Sequence, residues 1–305
     1  MYHANDPRSG LARAPEVALP TSFFGASFGR FYQDAPQEAD TLSRTWYVRG
    51  QNFIVAYTKA ERGAVLARQE QADEYVVLLP DADCVVEVTA RGGDQPNAVT
   101  RVEGRSIVMV PPGPSSIRIV SGGQVVRLFT HRAEDLARRC SNASSYAAPH
   151  ENVAPLAPWP EPKDGWRVRA YKVDVPQSEG RFGRIWRCTT FMINWFYPQK
   201  GPRDTKKMSP HHHDDFEQGS LALDGEFVHH LRWPWTVDMN AWREDEHALC
   251  ASPSLIVIPP PAIHTTQAIG KEANMLIDIF SPPRLDFSLK KGWVLNADDY
   301  EMPNG

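Results

Sequence analysis

The chain is short of cysteine, of long apolar runs and of any excess of one charge, and each shortage argues against a class of protein. Its four cysteines, Cys84, Cys140, Cys188 and Cys250, lie far apart and form no CxxC pair. Such spacing speaks against a zinc–cysteine or disulfide scaffold and for reduced thiols in the cytoplasm. No stretch approaches the ~20 apolar residues of a membrane helix. The opening "MYHANDPRSGLARAPEVALP" has no apolar core of the kind a secretory signal carries. Net charge is −4 with dispersed basic residues, so neither nucleic acid nor a membrane is expected as a partner. Helical periodicity is scarce too, confined to "RAEDLARRC" near 132–140, where acids come first and arginines last.

What is present is β-sheet material. Hydrophobic residues make up 42% of the 305 and charged residues 23%, a globular composition with enough apolar mass for real cores. Segments such as "QNFIVAYTKA", "GRIWRCTTFMINWFYP" and "ANMLIDIFSPP" are rich in Val, Ile, Phe, Tyr and Trp and are bounded by Gly, Pro or Asp, as strands between turns should be. Between two such series lies a Pro-, Ala- and Ser-rich stretch, read as an extended connector. The expected division is a first domain over 1–140, a connector over 141–165 and a second domain over 166–305.

The halves look alike. "SIVMVPPGPSSIRIV" (106–120) and "SLIVIPPPAIHTTQA" (254–268) share an apolar run, a proline turn and a second strand. Upstream, "DEYVVLLPD" parallels "EQGSLALDG". Shared order and spacing favour duplication. This alignment sets Glu74 against Gln218 and Ser116 against His264, and it puts Ala67, Gln69, Glu74 and Ser116 where the second half holds its candidate ligands.

Those candidates sit in "SPHHHDDFEQGSLALDGE" (209–226) and "PPPAIH". Residues i and i+2 of a strand share a face about 6.5–7 Å apart, so His211 and His213 can aim together while His212 points away. A following acid or amide, Glu217 or Gln218, and the distant His264 would complete a divalent-metal set with open coordination positions. Charge neutralisation favours Glu217 as third ligand and strand register favours Gln218; the choice leans to Glu217. Further on, "EFVHHLRWPWTVDMNAWRED" offers His229 or His230 to the interior, since neighbours alternate. Here His230 and Arg232 are the candidate catalytic residues, Arg232 as partner for a substrate carboxylate. Trp233, Trp235 and Trp242 are read first as packing residues, Asp214 and Asp215 as turn residues, and the C-terminal stretch as a packed tail.

These motifs resemble those of the cupin superfamily, specifically a two-cupin protein. Cupin motifs take the form H-x-H, then an acid, then Gly, and P-x-G-x-x-H; here Pro261 replaces the glycine of the second. The resemblance covers roughly 50–130 and 180–285. It implies a mainly β chain of two tandem jelly-roll barrels, the first lacking a complete metal site and serving a structural role. It also implies one divalent metal ion in the second barrel, Fe(II) favoured, with Mn, Ni or Zn as alternatives. The function expected is a metal-dependent enzyme acting on a small organic molecule, an aromatic or keto acid, with dioxygenase chemistry first. A non-redox isomerase or lyase and a non-catalytic ligand-binding protein are the alternatives. The only partner expected is a small-molecule substrate, with room for a homodimer.

Overall fold

The computed structural model describes residues 22–91 and 98–303. Four sheets built of antiparallel strands make two barrels. In the first, a large sheet runs in the order Arg169–Lys172, Ser106–Val110, Tyr75–Leu79, Gly123–Thr130, Phe53–Ala60, Ser43–Arg49, Glu38–Ala39. It faces a small sheet of Val65–Arg68, Ser115–Ser121, Val85–Ala90 and Val99–Glu103. In the second, the large sheet orders Ser27–Gly29, Ser254–Ile258, Gln218–Asp224, Ala273–Phe280, Met192–Trp195, Ile185–Arg187, with Gln199–Lys200 paired to Ala273–Phe280. Its small sheet is Glu246–Ala251, Glu226–Arg232, Ile263–Ala268. The expected fold, mainly β with two tandem cupin-type jelly rolls, is the one observed.

The two large sheets lie back to back. Phe53, Val55 and Tyr57 of the first half meet Trp186, Ile193, Leu221, Leu255 and Ile277 of the second in one buried cluster. The alternate residues Ile54 and Ala56 point into the first barrel. A strand covered on both faces must be apolar at successive positions, which is why "FIVAYTKA" reads as a continuous run. By contrast Val85–Ala90, with one face toward water, alternates half-buried and buried residues.

Strand membership corrects the boundaries expected from sequence. Ser27–Gly29, placed in 1–140, pairs with Ser254–Ile258 of the second barrel. Arg169–Lys172, placed in 166–305, pairs with Ser106–Val110 of the first. Each half thus lends an edge strand to the other. Nor does 141–165 behave as a plain connector, since His150 and Val153 are buried and a short 3-10 turn spans Ala143–Tyr146. The helix near 132–140 is one turn, Glu134–Ala137. The C-terminal stretch is packed as expected, with Tyr300 and Asn296 buried. All four cysteines are buried and unpaired. Among the described residues no helix is long and apolar enough to cross a membrane.

Pairing also corrects the alignment of the halves. Tyr75 pairs with Val110 and Gln218 with Ile258, each partner standing directly before prolines. Ser115, buried like His264, pairs with Arg68 as His264 pairs with His211, whereas Ser116 is only half-buried. Tyr75 is therefore the counterpart of Gln218, Ser115 of His264 and Arg68 of His211, while Glu74 matches Glu217. The alignment through Ala67, Glu74 and Ser116 is one residue out of register at each of these positions, although no histidine appears in either version. The register explains how the centres of the two barrels differ. Tyr75, Val77 and Leu79 fill the first barrel; the matching Gln218, Ser220 and Ala222 are smaller or polar and leave space.

Candidate metal centre

That space is a cavity of about 750 Å³, walled by Phe196, Tyr197, Phe280, Phe287 and Trp293, with His211, Gln218 and His264 on its surface. His211 approaches the strand Ile263–Ala268 through a two-way backbone bridge, its N–H donating to the His264 carbonyl at 3.1 Å and its carbonyl accepting from the His264 N–H at 2.7 Å. His213 follows, buried, while His212 is exposed beside Asp214. One ligating nitrogen from each of His211, His213 and His264 lies within 4.8 Å of the others. The sequence spacing predicts this convergence.

The ring orientations suit a cation. His211 Nδ1 lies 2.9 Å from the Ser209 carbonyl and His264 Nδ1 2.9 Å from that of Ala262. A carbonyl only accepts, so both Nδ1 atoms carry the proton and each Nε2 keeps its lone pair. This is the orientation that metal-bound imidazoles have. The His264 Nε2 is buried without a hydrogen-bond partner among the described residues. Burial also pushes the His213 and His264 imidazoles down, to about 3 and about 4, with the neighbouring histidines adding in the same direction. Neutral imidazoles are what a divalent ion requires.

The residue beside them is Gln218, not Glu217. Gln218 Oε1 accepts from His213 Nε2 at 2.8 Å, and its amide nitrogen donates to Ser220 Oγ at 2.9 Å. The Ser220 hydroxyl in turn donates to Asp278 Oδ1 at 2.6 Å. Burial pushes the Asp278 carboxyl up to about 7, against the opposing pull of its Ser220 bond and Arg284. Glu217 faces the other way, as neighbours at a strand entry must. Its Oε1 accepts from the Tyr146 hydroxyl at 2.9 Å and its Oε2 from the Gln51 amide at 2.5 Å. The leaning toward Glu217 as a ligand is therefore corrected: its charge is used against the first barrel.

His230 and Arg232 are corrected as well. His230 lies on the outer face, bonded to His247 at 2.8 Å and Gln267 at 3.2 Å, and exposed Arg232 pairs with Asp245. The inward residue is His229, fully buried and 3.0 Å from Thr266 Oγ1. Desolvation pushes its imidazole down to about 3. Trp233 is buried, whereas Trp235 and Trp242 stack on each other outside the cavity. Asp214 and Asp215 are exposed.

Three cavity residues had no place in the sequence reading. Asp278 carried a signal, being a lone acid inside an apolar strand. Arg284 was hidden in the tail; it stacks on Phe287 at 4.0 Å and on Phe216 and Phe280 at 4.9 and 5.0 Å, and pairs with Asp286. Arg203 reaches the Thr266 carbonyl at 2.8 Å from an irregular segment.

Solved structures share this architecture. The oxalate decarboxylase of Bacillus subtilis matches with a TM-score of 0.57 at 14% identity, covering 87% of this chain and 78% of that one. The Lactobacillus farciminis oxalate decarboxylase, solved as a formate complex, matches at 0.56 and 15% identity over 86% and 88%. A study of the Mn(II) centres of the Bacillus subtilis enzyme gives a further match at 0.56 and 12% identity, over 86% and 78%. The fold is that of the oxalate decarboxylases. No protein-family model matches the sequence, and no curated protein does.

Proposed function

We propose that the protein is a metal-dependent enzyme that acts on a small organic acid in its second barrel. The observation that carries this reading is the convergence of three imidazole nitrogens, one of them buried and unpartnered, on a cavity with an aromatic wall. His211, His213 and His264 would hold a divalent ion through nitrogen and Gln218 through Oε1. Such an ion supplies Lewis-acid polarisation of a substrate oxygen and, where it is Fe(II), a place for O2. The presence of Mn(II) centres in the Bacillus subtilis decarboxylase supports a divalent ion in this fold. With Gln218 in place of a carboxylate the protein donors are neutral. The preference for Fe(II) then rests on the dioxygenase reading alone, with Mn, Ni and Zn equally suited to the donors.

The chain's own residues supply the rest. Arg284, placed over three phenyl rings and paired with Asp286 through Nε and Nη2, offers its remaining Nη1 to the substrate carboxylate at the cavity wall. The aromatic side chains exclude water and stack on a planar acid. The hydrogen-bond chain from Gln218 through Ser220 to Asp278 holds the carboxamide oxygen toward the histidines.

Dioxygenation of an aromatic or keto acid is the first reading of the reaction. A non-redox lyase or isomerase is the second, favoured by the decarboxylase chemistry named for the solved neighbours. Oxygen uptake and product mass, measured on Fe(II)- and Mn(II)-loaded protein against small aromatic and keto acids, separate the two. Uptake with two oxygen atoms in the product supports the dioxygenase. Turnover without uptake supports the lyase or isomerase, and binding without turnover overturns both.

A further inference from the structure

The first barrel, which lacks the histidines, has a cavity of its own. About 960 Å³ opens at its mouth, between the inner face of the large sheet and the segment 65–72. Arg127 lies in it. This residue pairs in its sheet with Ala56 and Val77, both turned into the first barrel, while its neighbours Val126 and Leu128 turn toward the second. Strand pairing makes Arg127 the counterpart of Asp278, which pairs with Ser220 as Arg127 pairs with Val77.

Arg127 is 5% exposed, and no carboxylate pairs with it among the described residues. The other arginines of this cavity are all matched: Arg68 with Asp135 at 2.6 Å, Arg132 with Asp73 at 3.0 Å, Arg139 with Glu38 at 3.0 Å. Among the described residues Arg127 has only the Phe129 ring, 5.6 Å away, and its Nε is buried without an acceptor. A second donor shares the condition. Gln71 is 4% exposed; its Oε1 accepts from Arg68 Nε at 3.1 Å, which fixes the amide orientation and leaves Nε2 buried and without a partner among the described residues. An unpaired buried cation and an unpaired buried amide donor are each costly unless something accepts from them. The remaining acids of the cavity, Asp40, Glu70 and Glu134, are exposed at its rim, where solvent screens them.

We propose that the mouth of the first barrel binds a small organic carboxylate, held by the Arg127 guanidinium and the Gln71 amide. The planar fork of the guanidinium matches a carboxylate through two parallel hydrogen bonds. The first barrel is on this account an anion-binding module built on an arginine at the strand position that Asp278 holds in its partner barrel, and the assignment stands apart from the reaction proposed for the second.

The test is calorimetric titration of the full chain with acetate, pyruvate and benzoate, and with phosphate and sulfate as tetrahedral anions. It is repeated in Arg127→Met, Arg127→Lys, Gln71→Met and the His211→Ala, His213→Ala double variant. The expected result is carboxylate binding that survives in the double histidine variant and weakens roughly ten- to a hundredfold in Arg127→Met. Arg127→Lys, which keeps the charge and loses the fork, recovers only part of the affinity. Gln71→Met weakens binding by a smaller factor, and carries the test if Arg127→Met fails to fold. Tighter binding of phosphate or sulfate than of every carboxylate overturns the proposal. So does the absence of any anion binding that depends on Arg127 and Gln71.

Discussion

Glu217 accepts a hydrogen bond from the Gln51 amide, 2.5 Å away across the boundary between the barrels. Gln51 sits in the turn between Ser43–Arg49 and Phe53–Ala60. Its mirror image is Glu74, whose Oε2 accepts from the Thr189 amide at 3.0 Å in the turn between Ile185–Arg187 and Met192–Trp195. Each half thus holds the other with the acid that precedes its central strand. In Glu217→Gln the charge-assisted part of this latch is lost, and stability should fall by about 1–3 kcal/mol. Denaturant unfolding measures the loss, and metal content of the same variant should match wild type.

Glu74 gives the latch a pH dependence. Burial raises its carboxyl above the ordinary 4.5, against the opposing pull of its bonds from Thr189 and Tyr300. A raised carboxyl means that the folded state binds the proton more tightly than the unfolded chain does. Its contribution is therefore full below 4.5 and is lost as pH rises toward the folded-state value. Relative to Glu74→Gln, wild type should lose stability over that rise. Unfolding curves for both proteins at several pH values check the sign, and an opposite slope would contradict it.

Gln218 should set the affinity for metal. Gln218→Glu adds a negative charge beside the three imidazoles and should tighten metal retention. Gln218→Ala should weaken it by about tenfold or more. Competition against a chelator ranks the variants; the reverse order would remove Gln218 from the donor set.

Neither half should stand alone. A fragment of 166–305 lacks Ser27–Gly29, exposes the large-sheet face carrying Trp186, Ile193, Leu221 and Ile277, and carries away Arg169–Lys172 from the first barrel. Expressed by itself it should aggregate or melt without cooperativity. A soluble fragment with a sharp transition would show that the shared core is dispensable.

The histidines were legible because a motif spacing survives translation into geometry: His211, His213 and His264 lie where i, i+2 alternation and a proline turn put them. Glu217 against Gln218 was harder, since the strand begins only at Gln218 and periodicity has no phase before its first residue. For His229 the phase was present, shared with Phe227 and Leu231, but Val228 blurred it. The exchanged strands were beyond reach. Three residues at Ser27–Gly29 carry too little pattern to announce a pairing more than two hundred positions away. The hollow of the second barrel follows from Gln218, Ser220 and Ala222 only once their counterparts Tyr75, Val77 and Leu79 are known from the pairing.

The central claim is a single divalent-metal centre in the second barrel. Elemental analysis of the full chain, purified without a histidine tag, tests it most directly. The account predicts about one ion per chain, lost when His211→Ala and His213→Ala are combined and retained in Glu217→Gln. Two tightly bound ions per chain, or an ion untouched by the paired histidine substitutions, would contradict it.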